Sequence, residues 1–211
     1  MSRLRYNRQQ AVEYLRSRCD PLRSFIDAHG ALKIQVLREH DLFNALARAI
    51  VYQQLSGKAA GTIHGRFTGL FKNETPEATQ ASRLSMERLR SVGLSRNKAL
   101  AIQDLAEKTL DGSLAPMRSI ARLDDEQLIG NLCMVRGVGP WTAQMLLIFN
   151  LGRPDVMPST DLGVQKGVQA VYRLPDLPSP EQVIQNTRHL SPYRSAASWY
   201  FWRAADTVLL T

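Results

Sequence analysis

The stretch Val135–Gly167, VRGVGPWTAQMLLIFNLGRPDVMPSTDLGVQKG, decides how this chain of 211 residues folds. It opens on Gly137-Val138-Gly139, enters an apolar run behind Pro140, crosses RPDVMP and reaches a lone acid, Asp161. Glycine permits positive φ and the close approach of another backbone. Pro140 suits the first turn of a helix, where its missing N–H costs nothing. Two short helices therefore meet through a tight turn. The N–H groups that start the second helix lack partners and lie at the positive end of its dipole, so they suit an anion. A DNA phosphate is one guest; a plain tight turn is the other reading.

Working outward, apolar residues recur at three and four (Leu42, Ala45, Leu46, Ala49, Ile50) behind Asp41 as N-cap. Further helices are expected over 57–71 behind Ser56, over 81–92 up to Gly93, and from Ser95 to Gly112. Others are expected over 124–135, 140–152, 161–172, 180–190 and 195–209. Asn73 to Pro76, RPDVMP and the connector RLPDLPSP break the pattern. No segment alternates as a strand does, so the fold class is all-α.

Lys and Arg number 27 against 19 Asp and Glu, a formal charge of +8. Such a surplus favours a polyanion, most commonly nucleic acid. Much of it is early arginine: Arg3, Arg5, Arg8, Arg16, Arg18 and Arg23. Two cysteines, Cys19 and Cys133, make no disulfide framework and are too few for a four-thiolate Fe–S or Zn site. His29, His40, His64 and His189 show no metal spacing. The start of the chain has no secretory apolar region, and the longest apolar run, MLLIFNL at 145–151, is too short to cross a bilayer. These features lead to the expectation of a soluble, intracellular protein with no membrane partner.

The pattern Leu132-x-x-Val135-x-Gly137-Val138-Gly139-x-Trp141-Thr142-Ala143, followed by Asp161 after MPST, resembles the helix-hairpin-helix DNA glycosylases, and among them the 3-methyladenine DNA glycosylase II group. The resemblance extends to YQQLSGKAAGTIHGRF (52–67), LRSVGLSRNKALAIQDLA (89–106) and PYRSAASWYFW (192–202), so it covers most of the chain from about residue 40. Some members carry an N-terminal β-rich domain; this chain resembles the short, all-helical form. The resemblance implies one glycosylase fold over 1–211, with two helical subdomains flanking a cleft. One subdomain is roughly 43–153, with the hairpin at 132–149. The other combines roughly 1–42 with 154–211.

The resemblance also implies roles for particular residues. Asp161 matches the catalytic aspartate; taken alone it would be an ordinary acid at a helix start, with Ser159 or Thr160 as the cap. Trp141 stands where the glycosylase/lyase relatives have a Schiff-base lysine, and Lys98, Lys108 and Lys166 do not occupy that place. The implied enzyme is a DNA-3-methyladenine glycosylase II type hydrolase without lyase activity. Trp141, Trp202 and Met145 line the base pocket, core packing being the alternative for Trp141. Tyr52, Trp199 and Tyr200 are further pocket or core residues. Gln54 or Leu55 plugs the duplex from the minor groove, ordinary core packing being the alternative for Leu55, and Ser56 either reaches a base edge or caps its helix. Gly137, Val138, Gly139 and Thr142 meet the DNA backbone. A sodium or potassium ion sits on the carbonyls of Cys133, Val135 and Val138, and no organic cofactor is implied. Arg194 either orients a helix end or contacts the aspartate loop, a structural salt bridge being the other reading.

The expected function is base excision repair. The enzyme flips out alkylated purines (3-methyladenine, 7-methylguanine, ethenoadenine or 1-methyladenine) and hydrolyses the N-glycosidic bond, leaving an abasic site. The expected partner is double-stranded DNA with alkylated bases. The protein would be a monomer, cytoplasmic and nucleoid-associated in a prokaryote or nuclear in a eukaryote. A non-catalytic helix-hairpin-helix DNA-binding module is the alternative, as is the same fold acting on deaminated or oxidised bases.

Overall fold

Short polar side chains start most of the helices, and they do so where the sequence places them. The computed structural model describes residues 4–208, except 38, 40, 115 and 121; Arg3, His40 and the expected helix end at 209 lie outside the described residues. Along the chain run α1 (Arg8–Arg18), α2 (Asp20–His29), α3 (Leu42–Tyr52), α4 (Gly57–Thr68), α5 (Ala78–Ala81), α6 (Met86–Ser91) and α7 (Arg96–Leu110). Then come α8 (Met117–Ile120), α9 (Asp125–Cys133), α10 (Pro140–Phe149), α11 (Leu162–Tyr172), α12 (Pro180–Thr187) and α13 (Arg194–Val208). Among the described residues there is no strand, and the class is all-α as expected. No described helix is long and apolar enough to cross a membrane.

Asp41, Ser56 and Ser95 accept the backbone N–H of Asn44, Ala59 and Lys98, so each caps its helix as read from sequence. Asp124 with Gln127, and Ser179 with Gln182, form reciprocal capping boxes. One expectation is corrected: 81–92 is not a single helix. Ser85 accepts from Arg88 N and starts α6 on its own, while α5 ends at Ala81. A serine whose hydroxyl takes a downstream N–H favours a new start over continuation.

The chain divides into two units, Met1–Arg38 with Leu147–Thr211, and Glu39–Leu146. In the second, α7 packs against α3, α5 and α6, and α3 also against α4. Its core is Leu46, Ile50, Phe67, Leu89, Ile102, Leu105, Leu128 and Leu132, each fully buried. In the first, α1 packs on α2, and α11 packs on α2 and, over its length, on α13. Four of the early arginines are engaged inside this unit. Arg16 pairs with Asp27 at 2.9 Å, Arg23 pairs with Asp20 at 3.0 Å, Arg8 donates to the Ile34 carbonyl at 2.8 Å, and Arg18 lies 5.2 Å from the Tyr14 ring centre.

The α11–α13 contact is closest at Gly167. Val164, Val168 and Val171 bury one stripe of α11, and Gly167 lies on it. A Cβ built at Gly167 would overlap the Phe201 carbonyl group, which is backbone and cannot swing away. Ala196, Ala197 and Ala204 keep the facing side of α13 thin. Gly167→Ala should therefore lower stability by about 3 kcal/mol or more. Urea denaturation measures it, and an unchanged midpoint would mean that the two helices separate at no cost.

Candidate active site

Asp161 itself is the N-cap of α11. This corrects the expectation that Ser159 or Thr160 caps the helix and that Asp161 is its first residue. The chain arrives extended at Asp161, and its Oδ1 accepts the Val164 N–H at 2.9 Å. The same Oδ1 accepts the Trp202 indole N–H at 2.8 Å. Two donors from two helices thus set the plane of one half-buried carboxylate. Phe149 stands beside the indole, with ring centres 5.6 Å apart.

Room for this pair comes from Gly163. A Cβ there would lie 2.8 Å from Trp202 Cδ1, 3.1 Å from Asp161 Oδ1 and 3.3 Å from Trp202 Nε1. Any side chain would push the indole off the carboxylate.

The irregular segment before Asp161 is tied to α13. Ser195 N donates to the Pro154 carbonyl at 3.0 Å, and Ser195 Oγ accepts from Val156 N at 3.0 Å. Arg194 grips Asp155 through Nε to Oδ1 at 2.7 Å and Nη2 to Oδ2 at 2.9 Å, and Ser191 Oγ donates to Oδ2 at 2.8 Å. Burial pushes the Asp155 carboxyl up, but the hydrogen bonds from Arg194 and Ser191 and the guanidinium charge outweigh it and hold it below its ordinary value. Arg194 thus forms a salt bridge in the loop that leads to the aspartate, so the two readings of Arg194 are one arrangement.

In the other unit, the hairpin and the 53–56 turn come together. Gly137 adopts φ 75°, a left-handed conformation that suits glycine. Val138 N donates to the Val135 carbonyl at 3.0 Å, and both valines are buried. Pro140 opens α10, and a Cβ at Gly139 would meet nothing within 4 Å. Gln53 Nε2 donates to the Gly137 carbonyl at 3.0 Å and to Thr142 Oγ1 at 3.2 Å. Thr142 is buried, so its hydroxyl faces Gln53 within the protein.

Gln54 follows with φ 55°, and Leu55 is 39% exposed, which removes the reading of Leu55 as core. Ser56 caps α4. Trp141 is 43% exposed on the first turn of α10, so it is not core either, and Met145 is half-buried one turn on. Tyr200 is fully buried, and the Arg48 guanidinium covers the Tyr52 ring at 4.1 Å. Cys133 is a free, half-buried thiol on α9.

Sequence reasoning missed three residues. Gly163 and Gln53 carry no pattern of their own; their roles follow from what lies across from them. Lys98, set aside as not being the Schiff-base lysine, donates from Nζ to the carbonyls of Val51 at 2.8 Å and Gln53 at 2.7 Å.

With this geometry in hand, the comparisons with known proteins agree with one another. The HhH-GPD superfamily base excision DNA repair family matches residues 47–192. DNA-3-methyladenine glycosylase 1 of Schizosaccharomyces pombe is 35% identical over 170 residues, covering 80% of this chain and 75% of that protein. The structure of the S. pombe 3-methyladenine DNA glycosylase in complex with abasic DNA superposes with a TM-score of 0.84 at 32% identity, covering 92% of this chain and 95% of that one. A DNA-3-methyladenine glycosidase from Bacillus halodurans gives a TM-score of 0.86 at 30% identity, covering 95% and 91%.

The tie between Trp202 and Asp161 can be observed directly. In a proton–nitrogen correlation spectrum, the Trp202 indole N–H, assigned through its loss in Trp202→Phe, should exchange slowly with solvent. Gly163→Ala should speed that exchange while leaving the other indole signals in place. Equal exchange in the wild type and Gly163→Ala would mean that the indole is not held on the carboxylate.

Proposed function

The chain belongs to the HhH-GPD superfamily of base excision DNA repair proteins, and from that membership we propose that it is a monofunctional DNA glycosylase that releases alkylated purines and leaves an abasic site. One observation carries the reading: the Asp161 carboxylate, fixed by the Val164 N–H and the Trp202 indole. Breaking the C1′–N bond puts positive charge on the sugar, as in glycoside hydrolysis. The bonding electron pair leaves with the base, water adds its oxygen to C1′, and the water proton passes to solvent. Methylation at N3 or N7 has already made the base cationic, so it departs without a strong acid and a second carboxylate is dispensable; a neutral base such as ethenoadenine takes a proton from water as it leaves. A carboxylate about 4 Å from the developing charge stabilises it by roughly 4 kcal/mol at an effective dielectric near 20. Its plane must be set before the reaction, because preorganised charge costs no rearrangement at the barrier.

The remaining residues take roles by their chemistry. Trp202 spends its N–H on Asp161 and keeps ring surface for stacking on an electron-poor base. Trp141, exposed at the start of α10, and Met145 are further base-contacting residues. Gln54 or Leu55 fills the gap left by the extruded nucleotide, a step that any enzyme acting on a base within a duplex requires. Ser56 stands beside them as the cap of α4. The backbone of Gly137, Val138 and Gly139 meets a phosphate, and Thr142 supports that turn through Gln53. Sodium or potassium on the carbonyls of Cys133, Val135 and Val138 belongs to the same proposal. The Val135 oxygen accepts the Val138 N–H and keeps a second lone pair for such an ion. The partner is double-stranded DNA carrying alkylated bases, met in the nucleoid of a prokaryote or the nucleus of a eukaryote.

A panel of duplexes, each with one 3-methyladenine, 7-methylguanine, 1,N6-ethenoadenine or 1-methyladenine, tests the proposal. Free base should appear from at least one of them. The strand should stay intact on a gel without alkali and break after alkali, and borohydride should trap no adduct. No base release from any duplex would leave a DNA-binding module without catalysis. A trapped adduct would overturn the monofunctional reading.

A further inference from the structure

Gln54 is a left-handed residue that is not glycine, at the tip of the turn read above as the duplex plug. Such a conformation costs on the order of 1 kcal/mol or more and persists only where its surroundings impose it. α3 ends at Tyr52, and its last carbonyls would otherwise face water or nothing. The Lys98 ammonium, on the first turn of α7, donates to two of them, Val51 at 2.8 Å and Gln53 at 2.7 Å. A cation at the negative end of a helix is doubly suited to that place. Lys98 is half-buried, and burial lowers its pKa from the ordinary lysine value.

From the same turn the Gln53 side chain reaches the other way. Its Nε2 donates to the Gly137 carbonyl at 3.0 Å and to Thr142 Oγ1 at 3.2 Å. Gly137 is the left-handed residue of the hairpin, and Thr142 lies in the first turn of α10. Lys98, Gln53, Gly137 and Thr142 therefore form one polar bracket within the unit Glu39–Leu146. At one end it holds Gln54 and Leu55; at the other it holds the turn whose backbone is offered to a phosphate.

We infer that Lys98 and Gln53 are positioning residues that lock the plug turn to the hairpin, so that seating the hairpin on a phosphate sets how far Gln54 and Leu55 enter the duplex. The inference rests on reading 54–56 as the plug. Neither side chain is given a part in bond breaking. What they supply is geometry: a plug on a loose turn would swing with its own mobility, whereas a plug on a bracket moves only with the bound body. The cost of a loose plug falls on extrusion, because an unfilled gap lets the base return to the stack. It does not fall on a base that is already out.

Two duplexes separate the possibilities: one with an alkylated purine paired, the other with the same purine looped out in a bulge. Lys98→Met removes both hydrogen bonds at similar length. Gln53→Leu removes the donor to the hairpin, leaves Lys98 in place, and serves as the second variant should Lys98→Met fail to fold. Single-turnover base release from the paired lesion should fall about tenfold in either variant, the scale of losing a hydrogen bond to a charged or buried group. Release from the looped-out lesion should fall less than about threefold, and in Lys98→Met, which leaves the bonds from Gln53 to the hairpin in place, affinity for an undamaged duplex should hold within the same factor. A residue that only stabilises the fold would lower both rates together or neither. Wild-type release from the paired lesion in both variants, or equal losses on the two substrates, overturns the inference. Leu55→Ala and Gln54→Ala run alongside. If neither selectively loses the paired lesion, the plug reading itself fails and the inference falls with it. If either does while Lys98→Met and Gln53→Leu do not, the plug reading stands and only the bracket fails.

Discussion

At Gly163 the absence of one carbon lets the Trp202 indole donate to Asp161 while the start of α11 donates to the same oxygen. The rest of the aspartate unit is arranged so that this contact can form. The indole is brought in by α13, and α13 lies against α11 closely enough for the Phe201 backbone to occupy the space of a side chain at Gly167. The segment that delivers Asp161 is in turn clamped to the start of α13 by Arg194, Asp155 and Ser195. Two glycines four residues apart on one helix thus do different things. Gly167 sets how near the helices come, and Gly163 keeps open the pocket that this nearness creates. A hydrogen bond to a charged group is worth about 1.5–3 kcal/mol. The direction it imposes on the carboxylate matters more to the chemistry than that energy, because only a charge already in place can meet a developing cation.

The hairpin unit follows the same logic with different groups. The backbone proposed to meet DNA, at the Gly137 turn and the Gln54 turn, is irregular, and irregular backbone holds its shape only when its polar groups are answered. Lys98 and Gln53 answer them. In both units a side chain remote in sequence, Trp202 or Lys98, fixes a short segment that no helix or sheet would fix.

What could be read from sequence follows from which forces are local. Asp41, Ser56 and Ser95 cap their helices where the pattern places them, because a cap needs only its next three residues. The division of 81–92 was not visible, because apolar spacing alone runs through Ser85 and only its hydroxyl contact starts a new helix. The cap at Asp161 was misassigned by one or two residues, since Ser159, Thr160 and Asp161 are all good caps and the arrival of Trp202 lies forty-one positions away. Arg16 and Arg23 count in the positive surplus of the sequence, and each pairs with an acid on the neighbouring helix or turn. The resemblance to the glycosylases located Asp161, Trp202 and the 54–56 turn. It did not reveal Gly163, Gln53 or Lys98, whose importance lies only in what stands opposite them in space.

The proposed function depends on Asp161 as the group that meets the sugar's charge. Single-turnover base release by Asp161→Asn on a neutral alkylated purine, with affinity for the same duplex measured alongside, tests this most directly. Losing roughly 4 kcal/mol of stabilisation should slow the chemical step about a thousandfold. Affinity should hold or tighten, because an acid near phosphates has been removed. Wild-type rates from the asparagine protein on that duplex would contradict the account and put the catalyst elsewhere.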